Sequence, residues 1–156
     1  MAARKKDISE RGADTRLPAL PCACANIRRA ARAVTQLYDR ELRGTGLGVA
    51  QFALLQALSR IGEVPQGRLG EMLSFDSTTL TRTLSHLRRQ GWIAVRTGSD
   101  RRERLITVTS AGLRQLQQSN PYWERAQELL RKILGDRRWE ELGDLLHNVT
   151  RSARDA

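Results

Sequence analysis

The side chains best suited to chemistry in this 156-residue sequence are arginines, hydroxyls and one close pair of thiols. Between Ser77 and Leu105 seven arginines (Arg82, Arg88, Arg89, Arg96, Arg101, Arg102 and Arg104) face only Asp100 and Glu103, a net of +5. From Asn120 to Ala156, by contrast, seven basic residues meet seven acidic ones. Guanidinium groups grip phosphates and fork onto guanine edges, and the same stretch opens with Ser77, Thr78, Thr79 and Thr81, whose hydroxyls can bond phosphate oxygens. An ordinary solvated face is the alternative for a run of arginines, and the elements beneath them decide between the two.

The thiols, Cys22 and Cys24, are one residue apart, too close for an ordinary structural staple. Such a pair can be oxidised, can hold a soft metal or arsenite, or can pack as small apolar side chains at a subunit seam. The two histidines, His86 and His147, fall on different predicted helices. With no zinc-type Cys/His spacing, glycine-rich phosphate loop or paired carboxylates, the sequence offers no catalytic constellation. A binding protein without a cofactor is expected rather than an enzyme.

The whole chain carries +10 with a pI near 11.1, which predicts attraction to polyanions. No apolar run is long enough to cross a bilayer and the first residues lack the apolar stretch of a signal peptide, so a cytoplasmic protein with reduced thiols and no membrane partner is expected. Trp92 is the only aromatic in the predicted hairpin, which argues against base stacking on RNA. A non-specific nucleic-acid-binding structural protein remains the alternative of another class.

Periodicity places these groups on a mainly helical frame. Residues 1–21, polar and with two of the four prolines, read as a mobile arm, and residues 22–156 as a single domain. Ile27, Ala31, Val34 and Tyr38 set a first helix from about Cys22 to Arg43, and Phe52, Leu55 and Leu58 a second from Val49 to Ser59. Pro65 is expected to open a short third helix at its first turn. Asp76 is expected to cap a fourth over Ser77–Gln90, with Leu80, Leu84 and Leu87 inward and hydroxyls and arginines outward. Trp92–Arg96 and Arg104–Val108 read as a hairpin with a long basic tip. Thr109 should cap a helix to about Leu134, kinked or broken near Asn120-Pro121. A last helix from about Asp136 carries an apolar stripe, Trp139, Leu142, Leu145, Leu146 and Val149, too long for so small a domain to cover alone; a partner chain would cover it. His86 suits a surface or packing role.

A helix-turn-helix followed by a basic hairpin turns the arginine cluster into a nucleic-acid surface. The stretches FDSTTLTRTLSHLRRQGWI and RTGSDRRERLITVTSAG resemble the recognition helix, wing and onward helix of MarR-type regulators, with the wing motif as Asp100-Arg101-Arg102. The resemblance implies an α+β winged helix-turn-helix (about 48–109) framed by dimerisation helices (about 22–43 and 110–154), a homodimer on a pseudo-palindromic DNA operator, and a repressor released by a small molecule or by thiol oxidation. It further implies that Ser77, Thr78, Thr79, Thr81 and Arg82 enter the major groove or hold its phosphates. Arg88 and Arg101 would also contact DNA, Arg102 would reach the minor groove, and Asp100 would orient the wing arginines through an ion pair. Cys24 and Tyr38 have the spacing of the reactive cysteine and one tyrosine of the organic-peroxide-sensing branch, while Arg28 stands where that branch has its second tyrosine.

Overall fold

The computed structural model describes residues 21–155; the arm expected over 1–21 lies, apart from Pro21, outside the described residues. The chain divides into one unit ending at Arg32 and a second from Ala33 onward. The elements run α1 (Ala23–Glu41), α2 (Val49–Ile61), β1 (Val64–Pro65), α3 (Gln66–Leu73), α4 (Ser77–Arg89), β2 (Ile93–Thr97), β3 (Arg104–Val108), α5 (Ser110–Leu134) and α6 (Asp136–Asp155).

In the winged part α2 and α4 start where a side chain supplies an acceptor for orphan N–H groups. α2 follows Gly48, which has no side chain to cap with. The Asp39 carboxylate of α1 accepts the Val49 N–H at 2.8 Å, and Gln51 accepts that of Gly48 at 2.8 Å. At α4, Asp76 accepts the Thr79 N–H at 2.8 Å, as its type and place predict. α3 departs from expectation: Pro65 stands one residue before the helix, with its ring in β1. A proline suits an edge strand because it lacks the N–H a central strand must donate.

The sheet has three strands in the order β1-β3-β2, all antiparallel, not only the hairpin legible in the sequence. β1 is two residues long, too short for alternation to show. Val64 pairs with Ile106 and Val95 with Ile106 on the other side, so the wing is joined to the segment after α2. Beneath lies the core, where Leu80, Leu84 and Leu87 of α4 meet Phe52, Leu55 and Leu58 of α2 together with Ile93 and Ile106. Each such side chain contributes about 1.5–3 kcal/mol by leaving water, so α4 is held by its leucine stripe while its other faces stay in solvent.

α5 runs unbroken through Pro121, so of the kink or break expected there the break does not occur. The carbonyl released by the missing N–H belongs to Gln117, an exposed residue. Contacts on both sides hold the helix on course. Upstream, buried Ser119 donates to the Gln115 carbonyl at 2.8 Å and Gln115 bonds the Thr45 carbonyl; downstream, Trp123 stacks on Phe52 with centroids 5.6 Å apart. α5 begins by docking on the wing root. Thr109 donates its N–H to the Trp92 carbonyl (3.0 Å) and its hydroxyl to that of Gly91 (2.7 Å), and accepts from the Gly112 N–H (3.1 Å).

Candidate nucleic-acid interface

The leucine stripe of α4 leaves Ser77, Thr78, Thr81, Arg82, Ser85 and Arg88 exposed. Two shallow clefts flank the helix. One brings Ser77 together with Gln66 and with Arg102 and Arg104 of the wing; the other brings Thr81, Ser85 and Arg88 together with Gln66 and Arg104. Hydroxyl donors on the helix thus face guanidinium groups on the hairpin, an arrangement suited to phosphate oxygens and base edges. Thr78, Arg82 and Arg101 line neither cleft and point into open solvent.

Thr79 sits differently from the other hydroxyls. It is half-buried, and its hydroxyl donates to the second Asp76 carboxylate oxygen at 2.6 Å, so it belongs to the helix cap before it can belong to a groove contact. The two bonds from Thr79, hydroxyl first and N–H second, hold the Asp76 carboxyl below the usual carboxylate range. His86 packs edge-on against Trp92, centroids 6.2 Å apart, in line with the packing role expected of it.

The wing tip is built by Asp100, though not through the ion pair the sequence suggested. Its carboxylate accepts the Arg102 main-chain N–H at 2.9 Å, and its carbonyl accepts that of Glu103 at 2.9 Å. A side chain bonding backbone two residues on is the turn-forming habit of aspartate. Among the described residues no guanidinium lies within ion-pair distance of Asp100, so Arg101 and Arg102 are presented by the backbone and remain available. At the root of the tip, the Gly98 N–H meets the Glu103 carbonyl at 2.9 Å.

Arg96, counted in the basic cluster by its place in the sequence, is paired with an acid. Its guanidinium forks onto Glu63, Nε to Oε2 at 2.6 Å and a terminal nitrogen to Oε1. Those bonds and the charge of Arg96 hold the Glu63 carboxyl below its ordinary value. Neither Glu63 nor Gln66 could have been found from spacing, since each reaches its partners only through a sheet whose first strand leaves no pattern.

In the unit ending at Arg32, Cys22 and Cys24 are free and exposed and share a cleft with Arg28, Arg29 and Arg32. Tyr38 is buried, and its hydroxyl donates to Gln127 of α5 at 2.7 Å. Among the described residues no three acidic, histidine or cysteine side chains gather as a metal site, and no helix is long and apolar enough to cross a membrane.

A family model described as MarR family matches residues 45–103, from the loop before α2 to the wing. The transcriptional regulator MosR of M. tuberculosis, solved in complex with DNA, is 34% identical; the match covers 86% of this chain and 97% of that one with a TM-score of 0.77. The chain belongs to the MarR family. Its members are winged-helix DNA-binding transcriptional regulators, and the six helices and small sheet described above are their architecture. Two further relatives of this MarR-family chain are the uncharacterized HTH-type transcriptional regulator YwoH of Bacillus subtilis and the transcriptional activatory protein BadR of Rhodopseudomonas palustris. YwoH is 29% identical over 115 residues (74% of this chain, 82% of YwoH), and BadR is 29% identical over 156 (96% of this chain, 83% of BadR).

Proposed function

We propose that this protein is a homodimeric repressor that grips a pseudo-palindromic duplex operator with α4 and the wing and lets go when its thiols are oxidised or a small molecule binds. The observation that carries the DNA reading is the convergence of helix hydroxyls and wing arginines in the two clefts beside α4. In this reading Ser77, Thr78, Thr81 and Arg88 hold phosphates, Arg82 reads base edges, and Arg101 and Arg102 enter the minor groove, where negative potential attracts guanidinium groups. Thr79 and Asp100 act indirectly, one as part of the helix cap and the other as the former of the tip.

Dimer formation is supported by the apolar side chains left uncovered on the last two helices. Leu113, Leu129, Ile133, Leu145, Leu146 and Val149 are all exposed, Ile133 at 68% and Leu145 at 60%. Six large apolar side chains left exposed on two successive helices are what a partner chain would cover. A twofold dimer would present two recognition helices one turn of DNA apart. Multi-angle light scattering at micromolar concentration checks this, and a stable monomer would count against the dimer and the palindromic site together.

The decisive test of the DNA reading is a salt titration. Arg102→Ala is expected to lower the slope of log affinity against log salt by about 0.9 for one lost phosphate contact. Arg82→Ala should instead change which base is preferred. If Arg102→Ala binds duplex DNA as the parent does at every salt concentration, the wing is not at the DNA. Activation in place of repression is favoured by one observation, that the relative BadR is a transcriptional activatory protein. In vitro transcription from a promoter overlapping the operator tells the two apart.

A further inference from the structure

We propose that Glu63 is the positioning residue of the wing: through its bidentate bond to Arg96 it fixes the attitude of the hairpin, and so the affinity for DNA, without touching DNA itself. The proposal rests on the DNA-binding reading above.

The sheet register sets the geometry. Val95 pairs with Ile106 and Thr97 with Arg104, and Val95, Arg104 and Ile106 line the clefts beside α4. Side chains alternate along a strand, so Arg96, paired with Leu105, stands on the opposite face, away from α4. Pro65 also pairs with Leu105, so β3 runs between β2 and β1. From β2 the Arg96 side chain reaches past β3 to Glu63, which directly precedes β1. The pair therefore spans the full width of the sheet.

The two ends of this link differ in how firmly they are held. Glu63 follows α2, whose last turn closes on Gly62 with its N–H bonded to the Leu58 carbonyl at 2.9 Å, and whose Phe52, Leu55 and Leu58 are buried. Arg96 sits on a hairpin whose tip, Asp100 to Arg102, is exposed. A forked carboxylate–guanidinium bond fixes direction as well as distance, which a single contact would not. The guanidinium also feels the charge of Glu103, on the return side of the tip. Freed from Glu63, it would be drawn along the hairpin toward that residue.

Among the described residues Arg96 is the only arginine of the 77–105 cluster in an ion pair. A positioning role and a charge role predict opposite signs for one substitution. Glu63→Gln adds one unit of positive charge to the protein. If charge alone mattered, it would tighten binding to a polyanion. If Glu63 positions the wing, it loosens binding, because the fraction of hairpins in the binding attitude falls and apparent affinity falls with it.

The experiment uses the full chain and a duplex enriched from a random-sequence pool by the parent protein. Affinity is measured at several salt concentrations for the parent, Glu63→Gln, Arg96→Gln, both together, and the exchange Glu63→Arg with Arg96→Glu. Each single change is expected to weaken binding about three- to tenfold, with the double no worse than either single. The salt slope should stay at the parent value and the exchange should regain most of the affinity. Thermal melting checks that each variant is folded, and the exchange keeps the test open should a single variant melt early. Tighter binding by Glu63→Gln, or a fall of about 0.9 in slope for Arg96→Gln, would overturn the inference and make Arg96 a phosphate contact masked by Glu63. Should the parent enrich no duplex at all, the DNA-binding reading itself fails, a result distinct from either.

Discussion

Gly112 is where the start of α5 touches the wing root, and adding one methyl group there should cost more stability than almost any other small change. A Cβ at this position would overlap the Trp92 carbonyl oxygen and would lie 2.9 Å from both the Trp92 carbonyl carbon and a methyl of Val108. Ordinary Cβ contacts begin near 3.4 Å, so Val108 would have to retreat by about half an ångström and the carbonyl further. That carbonyl cannot swing away freely, because it accepts the Thr109 N–H that starts the helix. Overpacking of about 1–3 kcal/mol and a weakened hydrogen bond of about 1 kcal/mol give a loss of about 2–4 kcal/mol for Gly112→Ala. For a domain of this size that lowers Tm by about 4–15 °C. Gly67→Ala is the matched control. It is an exposed helical glycine with open space where the Cβ would go, so the same change should stabilise by about 0.4–1 kcal/mol. Differential scanning calorimetry of both variants measures the contrast. If Gly112→Ala melts within about 2 °C of the parent, less than about 1 kcal/mol was lost and the close approach is not what fixes α5 to the wing.

Tyr38→Phe removes a hydroxyl that donates to Gln127 at 2.7 Å, and should lower stability by about 1 kcal/mol by urea titration while leaving the helices intact by circular dichroism. Glu63 and Asp76 both titrate below their ordinary values in the folded chain, so what they contribute is present at neutral pH and is lost as pH falls through those lowered values; Glu63→Gln should flatten the acid limb of a pH–stability curve. Mild organic hydroperoxide should weaken DNA binding by the parent and by Cys22→Ser but not by Cys24→Ser, and equal binding by all three after treatment would leave the thiols as packing residues.

The helices were legible because their apolar residues recur at helical spacing and their ends carry capping residues. Asp76, the leucines of α4 and Thr109 stand where periodicity and caps put them. β1 was not legible because two residues cannot show a period, and with it went Glu63 and Gln66, whose roles exist only once β1 has joined β3. Pro121 misled for a related reason. Its effect on a helix depends on whether the released carbonyl reaches water and whether neighbours brace the turn, and both are tertiary facts. Charge counting put seven arginines in one stretch, and the family resemblance singled out Arg82, Arg88, Arg101 and Arg102 among them. The structure divides them into one locked to a carboxylate and others presented to solvent.

Three of the five acidic residues within 63–105 follow a common logic that leads to a last prediction. Glu63 clamps the sheet, Asp76 caps α4 and Asp100 shapes the tip, each using its oxygens as hydrogen-bond acceptors at a cost in attraction for DNA. If Asp100 is there for its geometry, an amide should serve as well, since the asparagine carbonyl can accept the Arg102 N–H from the same place. Asp100→Asn therefore keeps the tip and removes a negative charge beside Arg101 and Arg102. Across about 10 Å of water screened by about 0.1 M salt that is a gain of about 1.3-fold in affinity for each phosphate so placed. Asp100→Ala removes the same charge and the acceptor with it, so the tip loosens and the gain is cancelled or reversed. Affinities for one duplex at one salt concentration should rank Asn above the parent and Ala below Asn. If the Asn and Ala variants bind alike, the carboxylate matters only as a charge, and the backbone of the tip holds its shape unaided.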